Sequence, residues 1–194
     1  MNTKPIVLEK ISARERLLAA AQELFYEEGI NTVGIDRVIE RAGVAKASLY
    51  NAFGSKDELI RAYLTARHEA RVSRMTARLA KHDSPRDKIL SVFDDMRENA
   101  ANAGYRGCAF VRANAELRSE DSVKSVCDVS REWLRSLLGQ LTAATGARDP
   151  ASLTRQLVLL YDGAAVSSQM DGNTGAAQSA REAAISLMDA HGAT

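Results

Sequence analysis

The sequence predicts an all-α protein, and three observations lead there. Apolar residues fall at i, i+3, i+4 and i+7 at Ile35, Val38, Ile39 and Ala42, and helical stripes run along parts of the longer segments, the period of a helix with one buried face. Only 5% of the 194 residues are aromatic, three are proline, and alanine is plentiful, a composition that favours helix over strand. Helix-start signals punctuate the chain: Ser12 with Glu15 three residues on, Ser84-Pro85 and Asp149-Pro150.

Each element follows in order. Ser12 and Glu15 form a capping box, and Leu17, Leu18, Ala21, Leu24 and Phe25 give the first helix its apolar stripe before Gly29 ends it. Ile35, Val38, Ile39 and Ala42 make a second, short helix that stops at Gly43, where glycine takes a left-handed turn cheaply. Val44, Leu49 and Phe53 fold a third helix back onto the same small core. Ser55 and Glu58 then form a second capping box for a long helix from Lys56 to about Ala80, carrying Leu59, Tyr63, Val72, Met75 and Leu79. Ser84-Pro85 opens a helix with Ile89, Val92, Phe93 and Met96 that ends near Gly104. A shorter helix is expected over Cys108 to Leu117. A long one follows from about Glu120 to Thr145, with Val126, Val129, Trp133, Leu137 and Leu141 as its inward stripe. Asp149-Pro150 starts a helix to about Met170, and the last runs from beyond Gly175 to His191.

The second and third helices about Gly43 have the form of a DNA-binding helix-turn-helix. With Leu49 and Phe53 inward, the outer side of the third helix carries Ala47, Ser48 and Asn51, flanked by Tyr50, with Lys46 in the first turn. Such a flat, small and polar face fits a major groove about 12 Å wide. The same periodicity also fits a helical hairpin that touches no nucleic acid.

The residues from Phe25 through Gly29, Ile35-Asp36 and Ala42-Gly43-Val44 to Leu49-Tyr50, Phe53 and Gly54-Ser55-Lys56-Asp57-Glu58-Leu59 resemble the tetracycline-repressor-like (TetR/AcrR) transcriptional regulators. The likeness covers roughly the first third of the chain, and its ordered spacing is specific. It implies a DNA-binding helix-turn-helix domain over residues 1–55 and a larger helical effector-binding and dimerisation domain over 56–194. It assigns DNA contacts to Lys46, Ala47, Ser48, Tyr50, Asn51 and Lys56, the last as a phosphate contact. Three positions depart from the usual pattern: Gly34 and Ala45 stand where Ser or Thr commonly caps a helix, and Asn51-Ala52 replaces bulkier pairs.

By the same resemblance, the last two helices of two copies form a four-helix dimer interface, with Leu153, Leu157, Leu160 and Ala164 facing Ala180, Ala184 and Leu187. Part of each stripe must also serve the core of its own chain. A homodimer would set two reading helices one DNA turn apart on a near-palindromic double-stranded operator. The middle helices would hold a small-molecule effector, for which Phe93, Met96, Phe110, Asn114, Trp133, Leu137 and Tyr161 are the candidate lining. Core packing accounts for all of these but Asn114 equally well. Gly107-Cys108-Ala-Phe110-Val resembles a segment of a subgroup that includes repressors of multidrug-resistance genes, which points to a drug-like or aromatic effector.

Charge and motif content narrow the alternatives. A net charge of +1 is no strongly basic signature, and residues 1–60 are slightly acidic. Bases nonetheless gather locally, at Lys46 and Lys56 and again at Lys4, Lys10, Arg14 and Arg16. Phosphate contacts would therefore be few per chain, and dimerisation would double them. The sequence contains no Gly-rich phosphate loop, nucleophile elbow or paired catalytic carboxylates, so neither catalysis nor a cofactor is expected. His68, His82 and His191 lack metal-ligand spacing, and Cys108 and Cys127 form no CxxC pair. Three other readings remain: a helical enzyme or ligand-binding protein with a merely structural helix-turn-helix, a protein-binding adaptor, and a regulator that senses oxidants through Cys108. The longest apolar run, Leu157 to Tyr161, is far below the roughly 20 residues that span a bilayer, and the N-terminus lacks a signal-peptide core. A cytoplasmic location without membrane association is the expectation.

Overall fold

The computed structural model describes residues 11–116 and 123–194, which form nine α-helices and no strand. In chain order these are α1 Ala13–Glu28, α2 Ile35–Ala42, α3 Lys46–Phe53, α4 Lys56–Leu79, α5 Pro85–Ala100, α6 Ala109–Glu116, α7 Lys124–Ala144, α8 Pro150–Asp171 and α9 Gly175–Ala190. Lys4 and Lys10, the end of the expected sixth helix at Leu117 and the start of the seventh at Glu120 lie outside the described residues. Two compact units divide the chain within α4, the first ending at Tyr63 and the second comprising Leu64–Thr194.

In the first unit, the Ser12 hydroxyl accepts from the Glu15 N–H at 3.2 Å while the Ser12 N–H donates to the Glu15 carboxylate at 2.8 Å, completing the expected capping box. α1 packs on both α2 and α3. The shared core consists of Leu17, Ala21, Leu24, Phe25, Val38 and Leu49, closed by Leu59 and Tyr63 of α4. Phe25 and Tyr63 meet edge to face at 5.6 Å. Gly43 sits at φ 62°, ψ 44°, and this left-handed turn lets the Val44 N–H reach the Ile39 carbonyl at 3.3 Å. Arg16 of α1 donates to the Gly43 carbonyl at 3.2 Å and so fixes the turn to the first helix. The capping box expected at α4 is half made. Ser55 accepts from the Glu58 N–H at 3.1 Å, but the Glu58 carboxylate lies 3.5 Å from Arg61.

Neither α2 nor α3 has a side-chain cap, because Gly34 and Ala45 carry no acceptor. Both positions have ordinary extended backbone, and a Cβ at Gly34 would meet nothing within 4 Å. Ala45→Ser and Gly34→Ser should each stabilise the protein, the first by about 1 kcal/mol and the second by a few tenths. Urea unfolding monitored by circular dichroism checks this, and an unchanged or lowered midpoint for Ala45→Ser would contradict it.

In the second unit, α5 packs against α7, α8 and α9, and α8 lies along α9. Ile89, Val92, Phe93 and Met96 of α5 meet Leu134 and Leu138 of α7, Leu153, Leu157 and Ala164 of α8, and Ala177, Ala180, Ala184 and Met188 of α9. The alanines shorten the reach of the side chains between helices, so α8 and α9 can lie close. α5 ends at Ala100, ahead of the expected stop near Gly104.

The buried stripe of α7 differs from the expected one. It is Cys127, Ser130, Leu134, Leu138 and Thr142, whereas Val129 is 56% exposed and Trp133, Leu137 and Leu141 only flank the core. Two adjacent stripes about 100° apart both qualify as apolar on this helix. The more polar of them is buried because its hydroxyls are satisfied. Thr142 donates to the Gly139 carbonyl at 3.1 Å and shares a 2.7 Å hydrogen bond with Thr154 of α8.

Candidate nucleic-acid interface and effector cavity

α3 buries Leu49 and turns Lys46, Ala47, Tyr50 and Asn51 outward, while Ser48 is half-buried on the flank. Tyr50 is 46% exposed, unusually open for an aromatic ring on a short helix. Lys56 stands half-buried in the first turn of α4. The Lys46 ammonium lies 2.9 Å from the Asp36 carboxylate, and that hydrogen bond holds its pKa above the ordinary lysine value. Both side chains are mostly in water, so the pair is weak and a phosphate could replace the carboxylate. Two other cations of the unit are already engaged: Arg41 binds Glu23 at 2.7 Å and Arg37 binds Glu28. Arg14 stacks over the Phe53 ring at 5.0 Å. The outer face of α3 thus combines a flat apolar and hydroxyl-bearing surface with a single ammonium near its N-terminus, the residue types that read base edges and meet phosphates.

Within the second unit a cavity of about 350 Å³ opens between α4, α6, α7 and α8. Of the candidate lining, Phe110, Asn114 and Tyr161 border it. Phe93 and Met96 belong to the buried core instead, and Trp133 and Leu137 pack against that core. Sequence reasoning missed Arg71, Cys108, Cys127, Ser130 and Leu134, all of which line the cavity. Cys127, Ser130 and Leu134 escaped because they lie on the neighbouring stripe of α7. Arg71 escaped because it sits on a helix dense in charge, where a solvated side chain is the usual outcome. Its guanidinium donates to Ser130 Oγ and to the Tyr161 hydroxyl at 3.3 Å each, and lies 5.0 Å from the Trp133 ring and 5.5 Å from that of Tyr161. Burial pushes the Tyr161 phenol above its ordinary pKa, so it is a neutral donor and acceptor at physiological pH.

The two thiols of the cavity differ. Cys108 is half-buried, whereas Cys127 is buried and its pKa is pushed up to about 11, first by desolvation and then by the Asp128 carboxylate. At pH 8 roughly one Cys127 in 10³ is a thiolate. Iodoacetamide at pH 8 should therefore modify the native protein at Cys108 and spare Cys127 until urea unfolds the chain. Peptide mass spectrometry reads this directly, and equal modification rates would refute it.

α8 and α9 also form an open apolar groove, lined by Leu159, Leu160, Gly163 and Ala164 on one side and Ala180, Ala183 and Leu187 on the other. Leu160, Ala164, Ala180 and Leu187 are the expected interface residues found there. Leu153, Leu157 and Ala184 are fully buried in their own unit's core and can face no partner, a correction to the expected interface. Leu159, 70% exposed, occupies the outward position beside them. No helix among the described residues is long and apolar enough to cross a membrane. No group of metal-ligating side chains is found among them.

Residues 17–63, from α1 to the early turns of α4, match the family model "Bacterial regulatory proteins, tetR family". The chain is 30% identical over 131 residues to the HTH-type transcriptional repressor NemR of Escherichia coli (strain K12), a match spanning 66% of this chain and 65% of that relative's length. Among solved structures, the tetR-transcriptional regulator sav143 of Streptomyces avermitilis is 32% identical, with 94% of this chain and 100% of that one covered at a TM-score of 0.85. SCO4454, a TetR-family transcriptional regulator of Streptomyces coelicolor, is 31% identical, with 92% and 95% covered and a TM-score of 0.87. Both likenesses extend through the helical unit as well as the helix-turn-helix, and both of those proteins are named as transcriptional regulators, not as enzymes. The chain belongs to the tetR family of bacterial regulatory proteins, whose members are DNA-binding regulators of transcription.

Proposed function

We propose that the protein is a homodimeric repressor that binds a near-palindromic operator and is released by a small molecule. The observation that carries the reading is the outward face of α3, where Lys46, Ala47, Tyr50 and Asn51 stand clear of a core anchored by Leu49. Tyr50 and Asn51 would contact base edges, with Lys46 and Lys56 on phosphates. Repression, rather than activation, follows the relative NemR, which is named as a repressor. The α8–α9 groove, with Leu159 at its lip, would close on its copy in a second chain and bring two α3 helices onto successive turns of one duplex.

Release would begin in the cavity. α4 is one continuous helix that carries Arg71 in the cavity wall and Lys56 at its first turn. A ligand preferring one position of Arg71 would shift that helix and change the spacing of the two reading heads. The ligand need only bind the misaligned state more tightly.

Capture of genomic DNA fragments by the purified protein, beside its Tyr50→Ala variant, tests the reading. The wild type should enrich one or a few near-palindromic sites at near-physiological salt. Tyr50→Ala should lose at least about 30-fold in affinity for such a site, since a lost base contact costs about 1–3 kcal/mol and a dimer makes it twice. Equal enrichment by both proteins would show that α3 is not the reading helix.

A further inference from the structure

Arg71 gives the cavity a charge that an apolar effector would not use. Among the described residues no carboxylate lies within ion-pair distance of its guanidinium, which donates instead to two neutral hydroxyls at a long 3.3 Å. The other charged groups of the wall are already matched: Asp162 by Arg131, and Asp128 by Lys124 at 2.8 Å. His68, one turn before Arg71 on α4, packs edge to face on Phe110 and Trp133, and its Nδ1 is buried without a hydrogen-bond partner. Burial, and then the Arg71 charge, lower the His68 pKa, so the imidazole is neutral at physiological pH and Arg71 is the cation left unmatched. A guanidinium has five N–H donors in a planar fork, and Arg71 spends two of them on Ser130 and Tyr161. Trp133 and Tyr161 hold the fork between ring faces, which limits its freedom before any ligand arrives.

Resting on the reading of this cavity as the effector site, we infer that its ligand is an organic monoanion: an apolar body ending in one carboxylate, which is held on Arg71. The body would lie against Phe110, Leu134 and Val166, with Asn114 as a neutral polar contact. The volume, about 350 Å³, is at the small end of the 300 to 1,000 Å³ typical of such sites. A phosphate dianion is disfavoured, since one unmatched guanidinium faces it and the Asp128 and Asp162 carboxylates border the same space. A cation would set its charge against Arg71 with no free carboxylate to receive it.

Trp133, the sole tryptophan, reports on binding because the Arg71 guanidinium lies 5.0 Å from its ring. The purified protein is titrated with 3-phenylpropanoate, its amide and the corresponding amine, three probes that share one body, with calorimetry as a second readout. The acid should bind at least tenfold more tightly than the amide, and the amine should not bind. Arg71→Met should abolish the preference for acid over amide while keeping a native melting transition, and Arg71→Lys should restore part of it. Binding of the amide or amine as tight as that of the acid, or an acid preference that survives in Arg71→Met, would overturn the monoanion assignment and leave the cavity an effector site. Silence of all three probes would overturn it as well. If operator binding and its release were then also indifferent to filling the cavity with Val166→Trp, the effector reading would fall separately.

Discussion

Leu159→Asp should leave the protein monomeric at micromolar concentration and weaken operator binding by about 10²- to 10⁴-fold, the range in which linking two modest sites raises avidity. Leu159 is 70% exposed in a single chain, beside a groove whose floor is Gly163, Ala164 and Ala180. An aspartate at the lip would be desolvated against apolar surface when two copies close, and its copy from the second chain would repel it. The fold should be indifferent, because the position contributes nothing to the core of its own unit. Sedimentation equilibrium gives the oligomeric state, and a DNA-binding titration with one half-site and with the full site gives the avidity. A dimer that persists with unchanged operator affinity would mean that α8 and α9 do not form the interface.

Asp95→Ala should cost about 2–4 kcal/mol of folding stability, close to the upper end for a single substitution. Asp95 is 3% exposed and accepts from Arg74 at 2.9 and 3.2 Å and from Asn99 at 2.9 Å, with Arg78 at 3.6 Å. Removing the carboxylate leaves a bidentate guanidinium unpaired at the edge of the core. The loss stays below that of a fully enclosed pair because Arg74 is about half exposed and water can reach it. Replacing both partners with apolar residues, Asp95→Leu with Arg74→Met, should recover much of the difference, since the desolvation cost disappears along with the attraction. Urea midpoints of the single and double variants decide this. A single variant within about 0.5 kcal/mol of the wild type would show that water already satisfies both groups.

Elements whose ends are marked chemically were readable in the sequence. The Ser12–Glu15 box, the left-handed Gly43 turn, and the Ser84 and Asp149 caps, each followed by a first-turn proline, are local devices whose hydrogen bonds lie within a few residues. The outward face of α3 was readable for the same reason. On a helix of two turns, burying Leu49 leaves only one side free. α7 was misread by one position because local apolarity does not separate the stripe through Val129 and Trp133 from the one through Cys127 and Leu134. On α8, likewise, local apolarity does not separate Leu153 and Leu157, which α5 and α9 cover, from Leu159 and Leu160, which line the groove.

The sequence by itself determined the helical class, the order and approximate ends of the helices, the helix-turn-helix and the residues it presents, because these depend on period, capping and turn chemistry within one helix length. Tertiary structure alone decided which of two apolar stripes is inside. It also brought Arg71, Cys108, Ser130 and Tyr161, far apart in the chain, to one cavity, and left Leu159 rather than Leu157 outward. Burial is a property of what packs against a face, and the neighbours of a helix in space are not written in its own periodicity.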